Sequence, residues 1–141
     1  MNKAILKTLA SAAVAFAAIA VNAADIAYSG GGTDKKILTD PDNWTGGVLP
    51  GADDVAVIDR QICPAAPVVG ANWSVKGVRF TNGSSAGVWL GCSNGATLTL
   101  GEGGLECTLY SIYVQLPVVL AADQTWEMHG TRLYFSSPAS V

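Results

Sequence analysis

The chain has 141 residues, with eight Lys or Arg against eleven Asp or Glu, so its formal net charge is −3 at pH 7. This length has room for one folded domain. The basic residues after residue 23 are few and scattered. This pattern argues against nucleic acid and against anionic membranes as partners, because both bind clustered Lys and Arg.

The N-terminus has the three regions of a secretory signal peptide. Lys3 and Lys7 form a positive region, residues 8–21 are a run of small and apolar side chains, and Val21 and Ala23 occupy the −3 and −1 positions of a peptidase site. The run is shorter than the roughly 20 apolar residues that cross a bilayer. We therefore predict cleavage after Ala23 and export of the remaining 118 of the 141 residues, with no transmembrane segment after cleavage.

Residues 24–53 have almost no sustained apolar pattern, and Gly, Pro, Asp and Asn dominate them. We predict an N-terminal lead-in or cap with Trp44 as its apolar anchor and residues 37–38 as a short strand. Asp40 and Asp42 lack the later Gly and Glu of an EF-hand loop, so an Asx-type turn explains them better.

From residue 54 to residue 141 the hydrophobic pattern has a period of two, which is typical of β-strands. Leucines alternate with threonines in residues 96–101, and aliphatic residues alternate with more polar ones in residues 111–116. No window after residue 25 has the helical spacing over three turns, so we predict an all-β fold without a substantial helix. Further short strands are predicted at residues 55–58, 75–80, 88–90, 118–120, 125–128 and 131–135.

Two all-β architectures fit these strands. Short strands separated by Gly and Asn suit a β-solenoid, or β-helix, and residues 97–105 read as a strand, a glycine bend at a corner, and the next strand. With roughly 20–25 residues per coil, the exported chain has about four or five coils. A β-sandwich fits the spacing almost as well, and no internal repeat distinguishes the two.

Three stretches resemble exported bacterial proteins with autotransporter-associated β-strand repeats. Residues 43–58 (NWTGGVLPGADDVAVI) resemble the W-x-G-G-x-x-P-x-x-x-D lead-in of that family. Residues 76–80 (KGVRF) resemble the strand that follows the lead-in, and residues 118–135, with QTW at 124–126, resemble a later rung. The resemblance implies a right-handed parallel β-helix, secreted or displayed on the cell surface, with no enzymatic activity and no cofactor. Because members are usually longer, we expect this chain to be the N-terminal piece of a longer protein with further rungs after Val141, with a small stand-alone relative as the alternative.

Candidate sites for chemistry are weak in this sequence. Asp53, Asp54 and Asp59 form the densest acidic cluster, but calcium needs six or more oxygen ligands, so turn formation and solvation explain these residues better. His129 is the single histidine, and no serine or cysteine nucleophile is placed beside it in the sequence. Lyase activity would need acidic and basic side chains aligned on successive coils. We predict no catalytic residue, no metal ligand and no cofactor-binding residue.

The cysteines and tryptophans leave two open predictions. Cys92 and Cys107 both follow strand-like runs and could form a disulfide, with buried or free thiols as the equal alternative. Trp89 lies on the strand face opposite Val88 and Leu90, so it is the candidate contact for a sugar ring. The leading prediction is a non-enzymatic secreted structural or adhesin-type module with an unknown partner, such as an extracellular glycan or cell-surface protein. The alternatives are a carbohydrate-binding module and a fragment of a β-helical polysaccharide lyase.

Overall fold

The computed structural model describes residues 23–82, 87–108, 110–129 and 132–136. The predicted signal peptide lies, except for its last residue, outside the described residues. In the part described, no helix is long and apolar enough to cross a membrane. The helical content there is two three-residue 3-10 helices, Pro41–Asn43 and Thr45–Gly47. The described residues form ten strands, which are β1 Asp25–Ala27, β2 Val55–Asp59, β3 Val68–Val69, β4 Trp73–Thr81, β5 Val88–Cys92, β6 Leu98–Cys107, β7 Ser111–Gln115, β8 Val118–Leu120, β9 Trp126–Met128 and β10 Arg132–Phe135.

The strands form two sheets between which the chain alternates. Sheet I contains β1, β2, β4 and β6 in that order, with β8 and β9 both pairing with β6, whereas sheet II has the order β3, β5, β7, β10. Every pairing between these strands is parallel. The predicted β-solenoid is therefore confirmed, and the alternative of a β-sandwich is wrong, because sandwiches are built from antiparallel sheets.

The core lies between the two sheets, and its side chains come from alternate positions of each strand. Sheet I contributes Ala56 and Ile58 from β2 and Phe80 from β4, all of them fully buried. Sheet II contributes Val88 and Ile112, which are paired in register on β5 and β7 and are equally buried. Because parallel strands in register place paired residues on the same face, each apolar position continues as a row through successive coils.

The predicted lead-in carries the beginning of the same stack. β1 pairs with β2, and Ile37 forms a parallel bridge with Val68 of sheet II, so the chain passes through both sheet positions before residue 53. Trp44 is 1% exposed, as expected of an anchor, and its indole nitrogen donates a hydrogen bond to the carbonyl of Leu38 at 2.7 Å. The Asx-type turn is also confirmed, since the Asp40 carboxylate accepts the amide hydrogen of Asp42.

The glycines between residues 101 and 104 do not form the predicted corner. They lie inside β6, whose register against β4 shifts between Val75 and Gly77. A Cβ on Gly77 would lie 2.8 Å from the carbonyl carbon of Gly103, and Gly104 has a φ of 58°. Two backbones thus approach closely at an irregular point in a continuous strand, which glycine permits without a steric clash.

The last coil leaves apolar side chains uncovered among the described residues. Leu120 and Phe135 are 58% and 62% exposed, although each is in register with a buried residue of the preceding coil, Leu100 and Val114. Trp126 contacts Phe135, with ring centroids 5.6 Å apart. This end of the stack, formed by β8, β9 and β10, therefore presents a partly apolar surface, which we call the open end.

Candidate functional site

The outer face of sheet I carries a row of charged side chains. Arg79, Glu106 and Glu127 are directly paired residues of β4, β6 and β9. Since the strands are parallel and in register, these three side chains leave the sheet on the same side, one coil above another. We call this the charged row.

Arg79 joins three coils through two ion pairs. Its Nη1 lies 2.6 Å from Oδ2 of Asp25, and its Nε lies 2.5 Å from Oε2 of Glu106. The hydrogen bonds to Glu106 and then to Asp25 raise the pKa of the guanidinium above its ordinary value. Arg79 is therefore a fixed cation that bridges β1, β4 and β6, and it does not act as a base.

Glu106, Glu127 and His129 bring three metal-ligand atoms together beyond Arg79. Nε2 of His129 lies 3.7 Å from Oε2 of Glu127 and 3.9 Å from Oε1 of Glu106. One ligand atom from each residue can be chosen so that all three lie within 4.8 Å of one another. Glu106 is about one-third exposed, whereas His129 and Glu127 are more exposed. We call this cluster the Glu-Glu-His triad.

An acidic cleft of about 490 Å³ adjoins the triad. Its lining includes four carboxylates, Glu102, Glu106, Asp123 and Glu127. The Lys76 ammonium pairs with Glu102 at 3.0 Å. The arrangement supplies anionic oxygen and imidazole nitrogen ligands on an accessible surface, so the chemistry that it suits best is cation binding.

The outer face of sheet II carries an aromatic row instead. Trp89, Tyr113 and Tyr134 are in register on β5, β7 and β10. The ring centroids of Trp89 and Tyr113 are 5.1 Å apart with planes at 5°, and those of Tyr113 and Tyr134 are 4.7 Å apart with planes at 6°. Arg132 is on the same outer face, where a hydrogen bond to Tyr134 raises the pKa of its guanidinium. We call the three rings the aromatic row.

The structure places Trp89 as the sequence predicts. Its side chain points outward, with Trp89 41% exposed, whereas Val88 and Leu90 are buried. Stacking on Tyr113 covers one face of the indole, however, and a sugar ring binds an aromatic side chain through a ring face. Trp89, the predicted glycan contact, therefore offers a sugar ring less exposed ring surface than a solitary exposed tryptophan would.

The side chains of Asp54 and Asp59 accept hydrogen bonds from backbone amides. Asp54 accepts amide hydrogens from Gly51 at 2.9 Å and from Ala24 at 3.1 Å. Asp59 accepts one from Gln61 at 2.8 Å. These carboxylates fix turns and the start of the stack, in agreement with the interpretation preferred over calcium binding.

The predicted disulfide between Cys92 and Cys107 is not present in the structure. Cys92 ends β5 in sheet II and is half-buried, whereas Cys107 ends β6 in sheet I and is fully buried, so the two residues belong to different sheets. Cys63 is a thiol, and burial raises its pKa to about 12. A thiol with such a pKa is unreactive at neutral pH, because the thiolate is the nucleophile.

The sequence interpretation missed the triad. Glu127 and His129 are two residues apart in a strand-like segment, so period-two alternation could have placed them on one face. Glu106 could not have been added to them without the register, because it lies in the preceding coil. No family model, curated protein or solved structure matches this chain.

Proposed function

We propose that this protein is a non-enzymatic, secreted or surface-displayed structural module of the adhesin type, related to the exported bacterial proteins with autotransporter-associated repeats that its sequence resembles. The signal-peptide pattern and the three resembling stretches support export and this relationship. The observation that carries the proposal is the in-register stack, in which every coil adds parallel backbone hydrogen bonds and interior apolar rows to the coil before it.

This architecture supports a mechanical role. A parallel stack of coils distributes a mechanical load over many backbone hydrogen bonds. Each coil contacts only the coils directly before and after it. Leu120 and Phe135 at the open end occupy positions that are buried in the preceding coil. A further coil of the same kind would cover them, so the open end is suited to extending the stack.

Polar substitution at the open end tests this role. In the chain from Ala24 onward, we expect concentration-dependent self-association through the open end, because exposed apolar side chains and unpaired strand edges associate in water. Light scattering coupled to size exclusion should show that the Leu120→Ser, Phe135→Ser double variant associates less. Its melting temperature should change little, since both side chains are already exposed in one copy.

Val48→Ser is the matched control, because Val48 is 55% exposed and lies in the lead-in. This variant should associate as the parent chain does. A parent chain that stays monomeric at every concentration, with an unchanged double variant, would count against the open end as a docking surface.

Export has its own test. Expression of the full chain in a secreting bacterial host, followed by mass spectrometry of the mature protein, should give an N-terminus at Ala24. A protein that keeps residues 1–23 in the cytoplasm would contradict the secreted module.

The second candidate function is carbohydrate binding, which the outward position of Trp89 favours. A glycan array probed with the parent chain and with Trp89→Ala separates this candidate from a purely structural module. Glycan binding lost in Trp89→Ala and kept in Tyr110→Ala, another exposed aromatic residue, would favour the second candidate. No retained glycan would count against it.

The lyase candidate has weaker support, although the charged row does align acidic and basic side chains on successive coils. Abstraction of a proton from a sugar needs a side chain that can lose its own proton near the working pH. The paired guanidinium of Arg79, with its raised pKa, cannot do this. We therefore propose the charged row as a stabilising and cation-binding feature.

A further inference from the structure

We propose that Glu106, Glu127 and His129 form a binding site for a divalent transition-metal ion of the Zn²⁺ type. The site would connect the last two coils of sheet I, because Glu106 belongs to β6 whereas Glu127 and His129 come from β9 and the residue after it.

The register of the strands builds this site. Glu106 and Glu127 are directly paired, and the amide of His129 donates a hydrogen bond to the carbonyl of Cys107, which continues the pairing beyond β9. Glu127 and His129, two residues apart, therefore leave the sheet on the same side as Glu106. Three ligands from two coils converge without any change in the backbone.

The distances are close to those of a bound ion. Zn²⁺ binds carboxylate oxygen and imidazole nitrogen at about 2.0–2.2 Å, so tetrahedral ligand atoms lie about 3.3–3.6 Å apart. The observed separations from His129 are 3.7 and 3.9 Å. All three ligand atoms lie within 4.8 Å of one another, and the side chains of Glu127 and His129 are exposed enough to rotate toward a bound ion.

Arg79 orients one of the ligands. Its guanidinium nitrogen Nε lies 2.5 Å from Oε2 of Glu106, and the other oxygen of Glu106, Oε1, lies 3.9 Å from Nε2 of His129. A second partner that fixes a ligating carboxylate is a usual feature of metal sites, because it lowers the entropy lost when the ion binds.

The charge distribution also favours a cation. Glu106 and Glu127 are like charges directly opposite each other on paired strands, an arrangement that destabilises a sheet. Arg79 offsets Glu106 from one side, and Glu102 and Asp123 add negative charge along the adjoining cleft. A divalent ion between the two glutamates would turn their repulsion into attraction.

The ligand set selects the class of ion. Imidazole suits Zn²⁺, Cu²⁺ and Ni²⁺, whereas Ca²⁺ takes six to eight oxygen ligands, more than the triad provides. Three protein ligands leave at least one position of a tetrahedral ion to water. The site would therefore hold an exchangeable ion at the surface.

Calorimetric titration of the chain from Ala24 onward with ZnCl₂ tests the site. We expect one Zn²⁺ per chain, and we expect His129→Ala and Glu127→Gln each to weaken binding about tenfold or more. Glu102→Gln is the matched control, because Glu102 lines the same cleft outside the triad, and its affinity should stay within about twofold of the parent. The melting temperature without metal shows whether each variant is folded.

Two results would overturn the proposal. One is the absence of saturable Zn²⁺ binding by the parent chain up to millimolar concentration. The other is unchanged binding in His129→Ala, which would mean that carboxylates alone, or a thiol, attract the ion. Titration with Co²⁺ distinguishes the last case, since a sulfur-to-metal charge-transfer band that disappears in Cys92→Ser would assign the ion to cysteine.

Discussion

The outer faces of the two sheets both carry in-register rows of side chains, but the two rows differ in chemistry. Parallel strands in register place similar positions of successive coils directly over one another on both faces. On sheet II the result is the aromatic row, in which Trp89, Tyr113 and Tyr134 stack with nearly parallel planes. On sheet I the result is the charged row, in which Arg79 pairs with Glu106 and Glu106 pairs with Glu127.

The difference shows which side chains can repeat at paired positions of successive coils. Aromatic rings can repeat at every coil, because each ring contacts the next through favourable stacking. Charges can repeat only when their signs alternate, since like charges directly opposite each other repel. The charged row follows this rule from Arg79 to Glu106 and breaks it at Glu127. The Glu-Glu-His triad lies at this break.

The largest expected difference in the free energy of unfolding is between alanine substitutions at one glycine of each sheet. A Cβ on Gly77 of sheet I would lie 2.8 Å from backbone of Gly103, whereas a Cβ on Gly91 of sheet II would meet nothing within 4 Å. Gly77→Ala should therefore lower the free energy of unfolding by about 2–3 kcal/mol, the cost of overpacking. Gly91→Ala should raise it by up to about 1 kcal/mol, because alanine loses less backbone entropy. Urea denaturation measures both, and equal effects would contradict the difference in backbone packing.

The aromatic row should be sensitive at its centre. Tyr113→Ala removes the two stacked contacts at once, so we expect a loss of about 2 kcal/mol in the free energy of unfolding. Tyr110→Ala is the control, since Tyr110 is 56% exposed and lies just before β7, and it should change stability by less than about 0.5 kcal/mol. A Tyr113→Ala effect no larger than the control would show that the row contributes no stability.

The charged row should contribute less and respond to salt. Arg79→Gln breaks two ion pairs, and because the guanidinium is about one-third exposed we expect a loss of about 1 kcal/mol at low ionic strength. This loss should shrink in 1 M NaCl, because the Debye length there is only about 3 Å and the ion pairs are screened. Lys76→Gln breaks one exposed pair and should have a smaller effect. Salt-independent losses would point to packing of the Arg79 side chain as the cause.

Alkaline pH should lower the stability of the interior through Tyr28. Burial raises the pKa of Tyr28 to about 12, with smaller contributions from Cys63, Asp34 and Asp40, and its hydroxyl donates a hydrogen bond to the carbonyl of Lys35. A pKa above the ordinary 10.0 means that this stabilisation is complete below pH 10 and is lost as the pH rises toward 12. The stability difference between the parent and Tyr28→Phe should therefore narrow above pH 10. Urea denaturation between pH 7 and 11 checks this, and a constant difference would contradict it.

Local features of the molecule could be predicted with some success from the sequence. The alternation in residues 55–58 and 88–90 predicts strands at the positions where the structure has them, and it places Trp89 on the outside. The isolated Trp44 among polar and glycine residues is correctly predicted to be an anchor. These features depend on neighbouring residues in the chain, where peptide geometry alone puts alternate side chains on opposite faces.

The sequence also left errors that have physical causes. The glycines between residues 101 and 104 suggested a corner, because glycine is common in turns, but here they permit the close approach of two backbones. The disulfide between Cys92 and Cys107, one of two open alternatives, rests on the similarity of their local settings, although these residues end strands of different sheets. In both cases a local pattern was compatible with two tertiary positions.

The sequence by itself thus determined that the chain forms short strands with one apolar face, since that depends on alternation within a few residues. Tertiary structure decided that the strands pair in parallel as a solenoid, and that Arg79, Glu106 and Glu127 share one row although 27 residues separate the first two. Register depends on how the turns between coils fit and on how the interior packs. Both are properties of the whole stack, and the charged row, the aromatic row and the Glu-Glu-His triad all follow from them.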